Sequence, residues 1–136
     1  MTRPVGLVAA LLCLAMPGPL ALASAREAKR ATPAASLHTY LIDDDYPAEA
    51  IRNWERGTVA FRLTIGIDGR PTDCAVTSSS GSVSLDATSC RIMIERARFR
   101  PATDASGKPV QDSFESRISW RIPEDGNPQH VEIPAA

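Results

Sequence analysis

Aromatic residues are scarce in this sequence, at 5% of 136 residues, so any core must be built mainly from aliphatic side chains. A chain of that length makes one small domain rather than two, and so modest a core gains from a covalent staple. Histidine is scarcer still. His38 and His130 lie in the flanks, with no cysteine or carboxylate set at metal spacing beside them. With no histidine between them, a serine nucleophile has no base, and Ser78–Gly81 lacks the G-x-S-x-G form. Phosphate loops and dinucleotide fingerprints are missing as well. These absences point away from an enzyme and from any metal or cofactor. A charge excess is also lacking: the formal net charge of −1 offers nothing to nucleic acid or to an anionic membrane surface.

No apolar run is long enough for a spanning helix. The longest, Val5–Met16, covers roughly half of the ~20 residues needed, and Pro17-Gly18-Pro19 stops any helix there. Arg3 ahead of that run and Ala23-Ser24-Ala25 after it fit a cleaved signal peptide over residues 1–25. The chain is then exported to the periplasm, or anchored in the membrane if the segment is retained. Ala10-Leu11-Leu12 before Cys13 does not fit a lipidation site. Cleavage after Ala25 removes Arg3 and leaves 14 basic against 16 acidic residues, a net charge of −2. It also removes Cys13, leaving Cys74 and Cys90. An even count in an oxidising compartment predicts a disulfide between them. Two separate buried thiols are the alternative, with a reactive pair a weaker one, since sixteen-residue spacing is no CxxC motif.

What the chain does contain is a strict alternation. In Gly57–Arg70, apolar Val59, Phe61, Leu63, Ile65 and Ile67 fall on every second position, with small or polar residues between. That is a strand with one buried and one wet face. Asp68-Gly69 then predicts a tight hairpin turn into a second strand over Thr72–Ser78, with Cys74 and Val76 on one face. A helix from about Pro47 to Arg56 precedes the hairpin, with Ala50, Ile51 and Trp54 toward the sheet and Gly57 as its stop. A second helix follows from about Leu85 to Arg98, with Ser84 as N-cap. Its packing stripe is Ala87, Cys90, Ile94 and Ala97. On that stripe Cys90 can meet Cys74 if the helix packs on the sheet.

Pro101 forbids continuation of the second helix, and a third strand spans about Val110–Ile122, best packed over Phe114–Ile122. Residues 26–44 read as a flexible leader and residues 123–136 as a frayed, polar, proline-rich tail. The expected fold class is α+β, in the order α-β-β-α-β. Two helices lie on one face of a three-stranded antiparallel sheet, forming a domain over residues 45–122.

The pieces of this pattern occur together in a known order. Tyr46-Pro47-x2-Ala50, Gly57-x-Val59, Ile67-Asp68-Gly69-Arg70, Ser79-Ser80-Gly81, Leu85-Asp86 and Phe99-Arg100-Pro101-Ala102 are followed by Gly107-Lys108-Pro109-Val110. Each is a common turn or cap; in this order they resemble the C-terminal domain of TonB, the energy transducer of Gram-negative envelopes. The resemblance covers about Asp45–Ile122. It implies a periplasmic module that binds the TonB box, an extended segment of outer-membrane receptors, by adding it to the edge strand of the sheet. The matching positions are Ser116, Arg117, Ile118, Ser119, Trp120 and Arg121, with Arg117, Ser119 and Arg121 on the wet face.

The sequence also departs from that family. The N-terminal apolar segment carries no histidine to couple to a proton-driven motor. The roughly twenty residues between it and Asp45 are too few to cross the periplasm even when extended. Asp44 and Asp45 stand where the family often has glutamines. A free-standing module of TonB-dependent transport fits better than a force transducer. The other class is a structural protein reusing the fold, contacting peptidoglycan or a second copy. An edge strand left open favours the first class, and an edge sealed by its own tail or by a second copy favours the other.

Overall fold

The computed structural model describes residues 26–122 and 130–132. The expected signal segment lies outside the described residues, as does most of the expected tail. Strand β1 (Thr32–Pro33) and two 3-10 turns (Leu37–Tyr40, Asp43–Asp45) lead into helix α1 (Ala48–Arg52). The hairpin β2 (Gly57–Ile65) and β3 (Pro71–Ser78) is followed by helix α2 (Val83–Arg96). Short strands β4 (Phe99–Arg100), β5 (Ala102–Thr103) and β6 (Pro109–Val110) precede β7 (Asp112–Arg121) and β8 (His130–Glu132). The main sheet runs β3-β2-β7-β8, antiparallel throughout. Among the described residues no helix is long and apolar enough to cross a membrane.

The alternation in β2 does what it predicts. Val59, Phe61, Leu63 and Ile65 are fully buried beneath Leu85, Ile92 and Met93 of α2, while Thr58 and Arg62 face solvent. Ile67 lies beyond the strand and is 64% exposed. The turn is longer than a two-residue hairpin: Gly66 N–H donates to Arg70 O at 2.9 Å, and only Gly69 in the loop has the left-handed φ, 79°. Gly69 is needed for a second reason, since a Cβ there would sit 2.0 Å from Phe99 O. The same close approach lets Phe99 N–H donate to Gly69 O at 2.9 Å.

Both helices pack on one face of the antiparallel sheet, as the sequence predicts, but each differs in detail. Helix α1 stops at Arg52 because the chain turns there in a Schellman motif. Glu55 N–H reaches Ala50 O at 2.8 Å, and Trp54 N–H reaches Ile51 O at 3.1 Å. Trp54 occupies the left-handed position, φ 53°, and is 66% exposed rather than facing the sheet. Helix α2 begins two residues early, since Ser82 and not Ser84 is the N-cap; its hydroxyl accepts from Leu85 N–H at 3.2 Å. The buried stripe is correspondingly rotated to Leu85, Thr88, Ser89, Ile92 and Met93, leaving Ala87 exposed and Cys90 and Ile94 half-buried, while Ala97 just past the helix end is buried as expected. Leu85, Ile92 and Met93 anchor that face because burial is worth about 25 cal/mol per Å² of apolar area, and Thr88 and Ser89 are carried in between them.

Two flanks expected to be loose contain paired backbone. In the leader, β1 pairs with β4 and Lys29 with Thr103, while Ala31 and Leu37 are buried. Here isolated apolar residues without any period have found core positions, which is why no periodic signal marks them. In the tail, β8 pairs with the outer side of β7, giving the sheet a fourth strand. An edge strand templates any extended segment within reach, and tail composition carries no sign of that. Asp45, the residue in place of a glutamine, is buried and accepts both guanidinium nitrogens of Arg96, at 2.6 and 2.8 Å. Burial pushes its carboxyl up, but hydrogen bonds from Arg96 and from Ile42 N–H outweigh this and hold it below the ordinary value.

Candidate partner-binding edge

Strand β7 is straight in register with β2 for nine residue pairs, from Gly57↔Trp120 to Ile65↔Asp112, with no bulge. Its even residues point to the helices. Ile118 and Trp120 are buried, and Phe114 meets Phe99 edge-on with centroids 4.9 Å apart. Its odd residues line the open face, where Glu115 accepts from Arg62 Nε at 2.6 Å and Ser119 shares a 2.9 Å hydroxyl contact with Thr58. Trp120 fixes the far end. Its ring meets Tyr46 edge-on at 5.1 Å, and its indole N–H donates to Ser89 Oγ at 2.9 Å. Ser89 Oγ in turn donates to Leu85 O at 2.8 Å, so the polar atoms buried with the tryptophan are satisfied.

The outer side of β7 is guarded at both ends. At the start, the leader clamps Asp112: Arg30 Nε and Ala31 N–H both donate to Asp112 Oδ2, at 2.7 and 2.9 Å. Ser113 is saturated by side chains, its N–H donating to Asp112 Oδ1 at 2.8 Å and its C=O accepting from Arg30 Nη2 at 3.2 Å. Ser113 therefore turns its backbone away from β2. Because backbone groups alternate sides along an antiparallel strand, Glu115, Arg117, Ser119 and Arg121 do the same. At the other end β8 covers Ser119–Arg121. Between the guards, among the described residues, no second strand pairs with Phe114–Ile118. Their outward main-chain groups are the N–H and C=O of Glu115 and Arg117.

The hydrogen bond from Arg30, opposed by partial burial and aided by Ala31 N–H, brings the Asp112 carboxyl down to about 2. A depressed carboxyl contributes stability in full above its unfolded value near 3.8 and loses it as pH falls toward about 2. The stability of the native chain is thus expected to decline more steeply than that of Asp112→Asn between those two pH values. Urea unfolding at stepped pH checks this; parallel declines would show that the clamp does not hold the leader.

All six residues expected at the edge, Ser116–Arg121, lie on β7, but the structure divides them. Ser116, Arg117 and Ile118 belong to the open stretch, and Ser119, Trp120 and Arg121 lie under β8. Glu115 was not among the expected residues; the alternation that put Arg117 on the wet face applies equally to it. The clamp of Arg30 and Asp112, 82 residues apart, has no sequence signal at all. The other motif residues build the domain. Tyr46 OH donates to Glu55 O at 2.6 Å, and Pro47 precedes α1. Gly57 passes so near Ser80 that a Cβ would lie 2.5 Å from its carbonyl oxygen. Ser80 donates its N–H and hydroxyl to Asp86, Asp68 Oδ1 accepts from Arg70 N–H, and Gly81 joins Ser80 to the helix cap. Leu85 and Phe99 are core, and Pro101 lies against Gly69. Cys74 and Cys90 form the expected disulfide, tying β3 to α2 with Cα atoms 5.6 Å apart.

The family model described as Gram-negative bacterial TonB protein C-terminal matches residues 43–122. No curated protein matches the chain. The match spans more than half of the sequence, and the chain belongs to that family.

Proposed function

We propose, from that membership, that this is a periplasmic protein of TonB-dependent transmembrane transport that binds the TonB-box segment of outer-membrane receptors by strand addition. The family's role is non-enzymatic and lies in transport at the cell envelope. The observation that carries the finer reading is the open stretch of β7. Strand addition needs outward N–H and C=O groups on a rigid edge, with side chains beside them to select the partner. Glu115 and Arg117 supply four such groups, and Arg117 adds an exposed cation next to them. The signal-like segment over residues 1–25 and the Cys74–Cys90 bridge fit a chain exported into an oxidising compartment.

The alternative is a non-transducing structural protein whose partner is peptidoglycan or a second copy of the chain. The guarded ends of β7 favour it, because they leave a shorter edge than a free strand offers. A titration of the oxidised chain, followed by backbone amide shifts, separates the two. A synthetic TonB-box peptide is expected to move the amides of Glu115 and Arg117 most. No shift at millimolar peptide, with shifts on adding soluble peptidoglycan fragments or raising protein concentration, would transfer the assignment to the structural reading.

A further inference from the structure

The chain guards one edge of its main sheet and leaves the other bare. Strand β3 is the terminal strand on the side away from β8, and among the described residues nothing pairs with its outer side. Between the register shifts near its two ends, Asp73–Val76 runs regularly against β2. Thr64 lies opposite Ser113, so its backbone likewise turns away from β7 and toward Asp73. Alternation then directs Asp73 and Ala75 to β2, and the N–H and C=O groups of Cys74 and Val76 outward. Pro71 and the irregular pairings that blunt an edge lie toward its ends. Between them Asp73 is the only charge, and the strand has no lysine.

An apolar strip on α2 lies beside that edge. Asp86 accepts the N–H and hydroxyl of Ser80, and Cys90 is bonded to Cys74, so this side of α2 sits over β3. At about 100° per residue, Val83, Ala87 and Ile94 fall next to Cys90, opposite the buried Leu85 and Ile92. Val83 is 87% exposed, and Ala87 and the Val76 side chain on β3 are exposed as well. Beside Ile94 a hollow of about 340 Å³ opens against Thr72, Asp73 and the disulfide. Arg91 and Glu95 on its wall pair with each other at 3.3 Å, so their charges cancel. Edge backbone and apolar strip form one lateral face, and among the described residues no strand covers it.

We infer that this face joins two copies of the chain, β3 pairing antiparallel with β3 of the second copy about a twofold axis at Ala75. In that register the outward residues meet each other, Cys74 opposite Val76 of the second copy and the reverse, as an isologous contact requires. Asp73 falls opposite Thr77 of the second copy, so like charges are not set against each other. A lone strand would use the edge and leave the helix strip bare. A second copy carries its own α2 over its own β3 and sets strip against strip. The pairing leaves β7 as it is, so the dimer is one continuous sheet with an open Glu115–Arg117 stretch toward each end. The inference does not rest on the strand-addition reading. Where both hold, the dimer is bivalent toward receptor segments.

The test is sedimentation of the full oxidised chain from micromolar to millimolar concentration, with hydrogen exchange of the Cys74 and Val76 amides. A concentration-dependent dimer that protects both amides is expected. Two variants separate the halves of the contact. Val83→Glu/Ala87→Glu sets like charges in the strip; both positions are exposed, and acidic residues suit the start of a helix, so the fold is kept. Val76→Pro removes an N–H that the ladder to β2 does not use. Amide positions along β7 that match the native chain establish that each variant is folded. Each variant is expected to raise the dimer dissociation constant about tenfold or more. A native chain that stays monomeric at millimolar concentration would overturn the inference and leave the face to a different protein. A dimer unchanged by both variants would overturn it by placing the contact elsewhere. A dimer weakened by one variant alone would overturn it too, since edge and strip would not form one contact. Titration with a synthetic TonB-box peptide reads the β7 amides separately, so failure of that reading leaves this result standing.

Discussion

Replacing Trp120 with alanine is expected to lower the stability of the domain by about 3–5 kcal/mol, the range for truncating a fully buried large aromatic. The side chain is 1% exposed and among the largest in the core, in a chain where few others have its volume. Its loss opens a cavity between β7 and α2 that the backbone cannot close, because β7 is held in continuous register by β2. It also removes the edge-on contact with Tyr46 and leaves Ser89 Oγ without its donor. Trp120→Phe separates these effects: it keeps a ring near Tyr46 but loses the indole hydrogen bond, for about 1–3 kcal/mol. Thermal melts can read the difference, since each kcal/mol moves the midpoint of a domain this size by about 4–8 °C. A loss under ~1 kcal/mol for Trp120→Ala would mean that the sheet and α2 are held together elsewhere.

Much of the fold was legible in the sequence through alternation. Strand β2 announces itself because its alternation is unbroken from Val59 to Ile65 and every inward residue is buried. Strand β7 is legible over Phe114–Trp120 by a weaker form of the same alternation, interrupted at Ser116, with Ile118 and Trp120 buried and Phe114 partly so. Helix α2 was legible in existence but not in phase. Its apolar residues are sparse enough that two stripes share Cys90's side of the helix, and only the sheet beneath it selects Leu85, Ile92 and Met93. Trp54 misleads because sequence periodicity assumes that the helix continues. The left-handed turn at that very residue swings it into solvent, in a position that usually belongs to glycine.

The candidate edge was half legible. Alternation identifies which side chains of β7 are wet, but not which backbone groups face outward. That parity is set by what pairs with Ser113, a fact available only once Arg30 and Asp112 are seen together. The two guards escape sequence reading because each is a non-local contact made by a segment without periodicity. The leader reaches β7 across 82 residues of sequence, and β8 arises from the polar tail. The motif residues behave differently. Gly69 and Ser80 are recognisable in sequence because the turn and the cap they make are local, whereas the close approaches of Gly57 to Ser80, Gly69 to Phe99 and Tyr46 to Trp120 are non-local and carry no sequence pattern.

Removing the Cys74–Cys90 bridge, by the double change Cys74→Ala/Cys90→Ala, is expected to cost about 3 kcal/mol, the loop-entropy value for a closed loop of this length. The two cysteines are 16 residues apart and join an otherwise exposed edge strand to α2. Strand β3 buries only Pro71 fully, so little apolar contact holds it beyond its ladder to β2. The bridge acts chiefly on the unfolded chain, whose loop it closes. The folded variant is therefore expected to keep its amide spectrum except beside the removed sulfurs, while its urea midpoint falls. Shifts spreading along β3 to Ser78 would show instead that the bridge holds the strand in place, a native-state effect. A loss below ~1 kcal/mol would mean that the unfolded chain is already compact across residues 74–90. The aliphatic core, supported by Trp120, would then be sufficient without a staple, and the disulfide would mark the compartment rather than stabilise the fold.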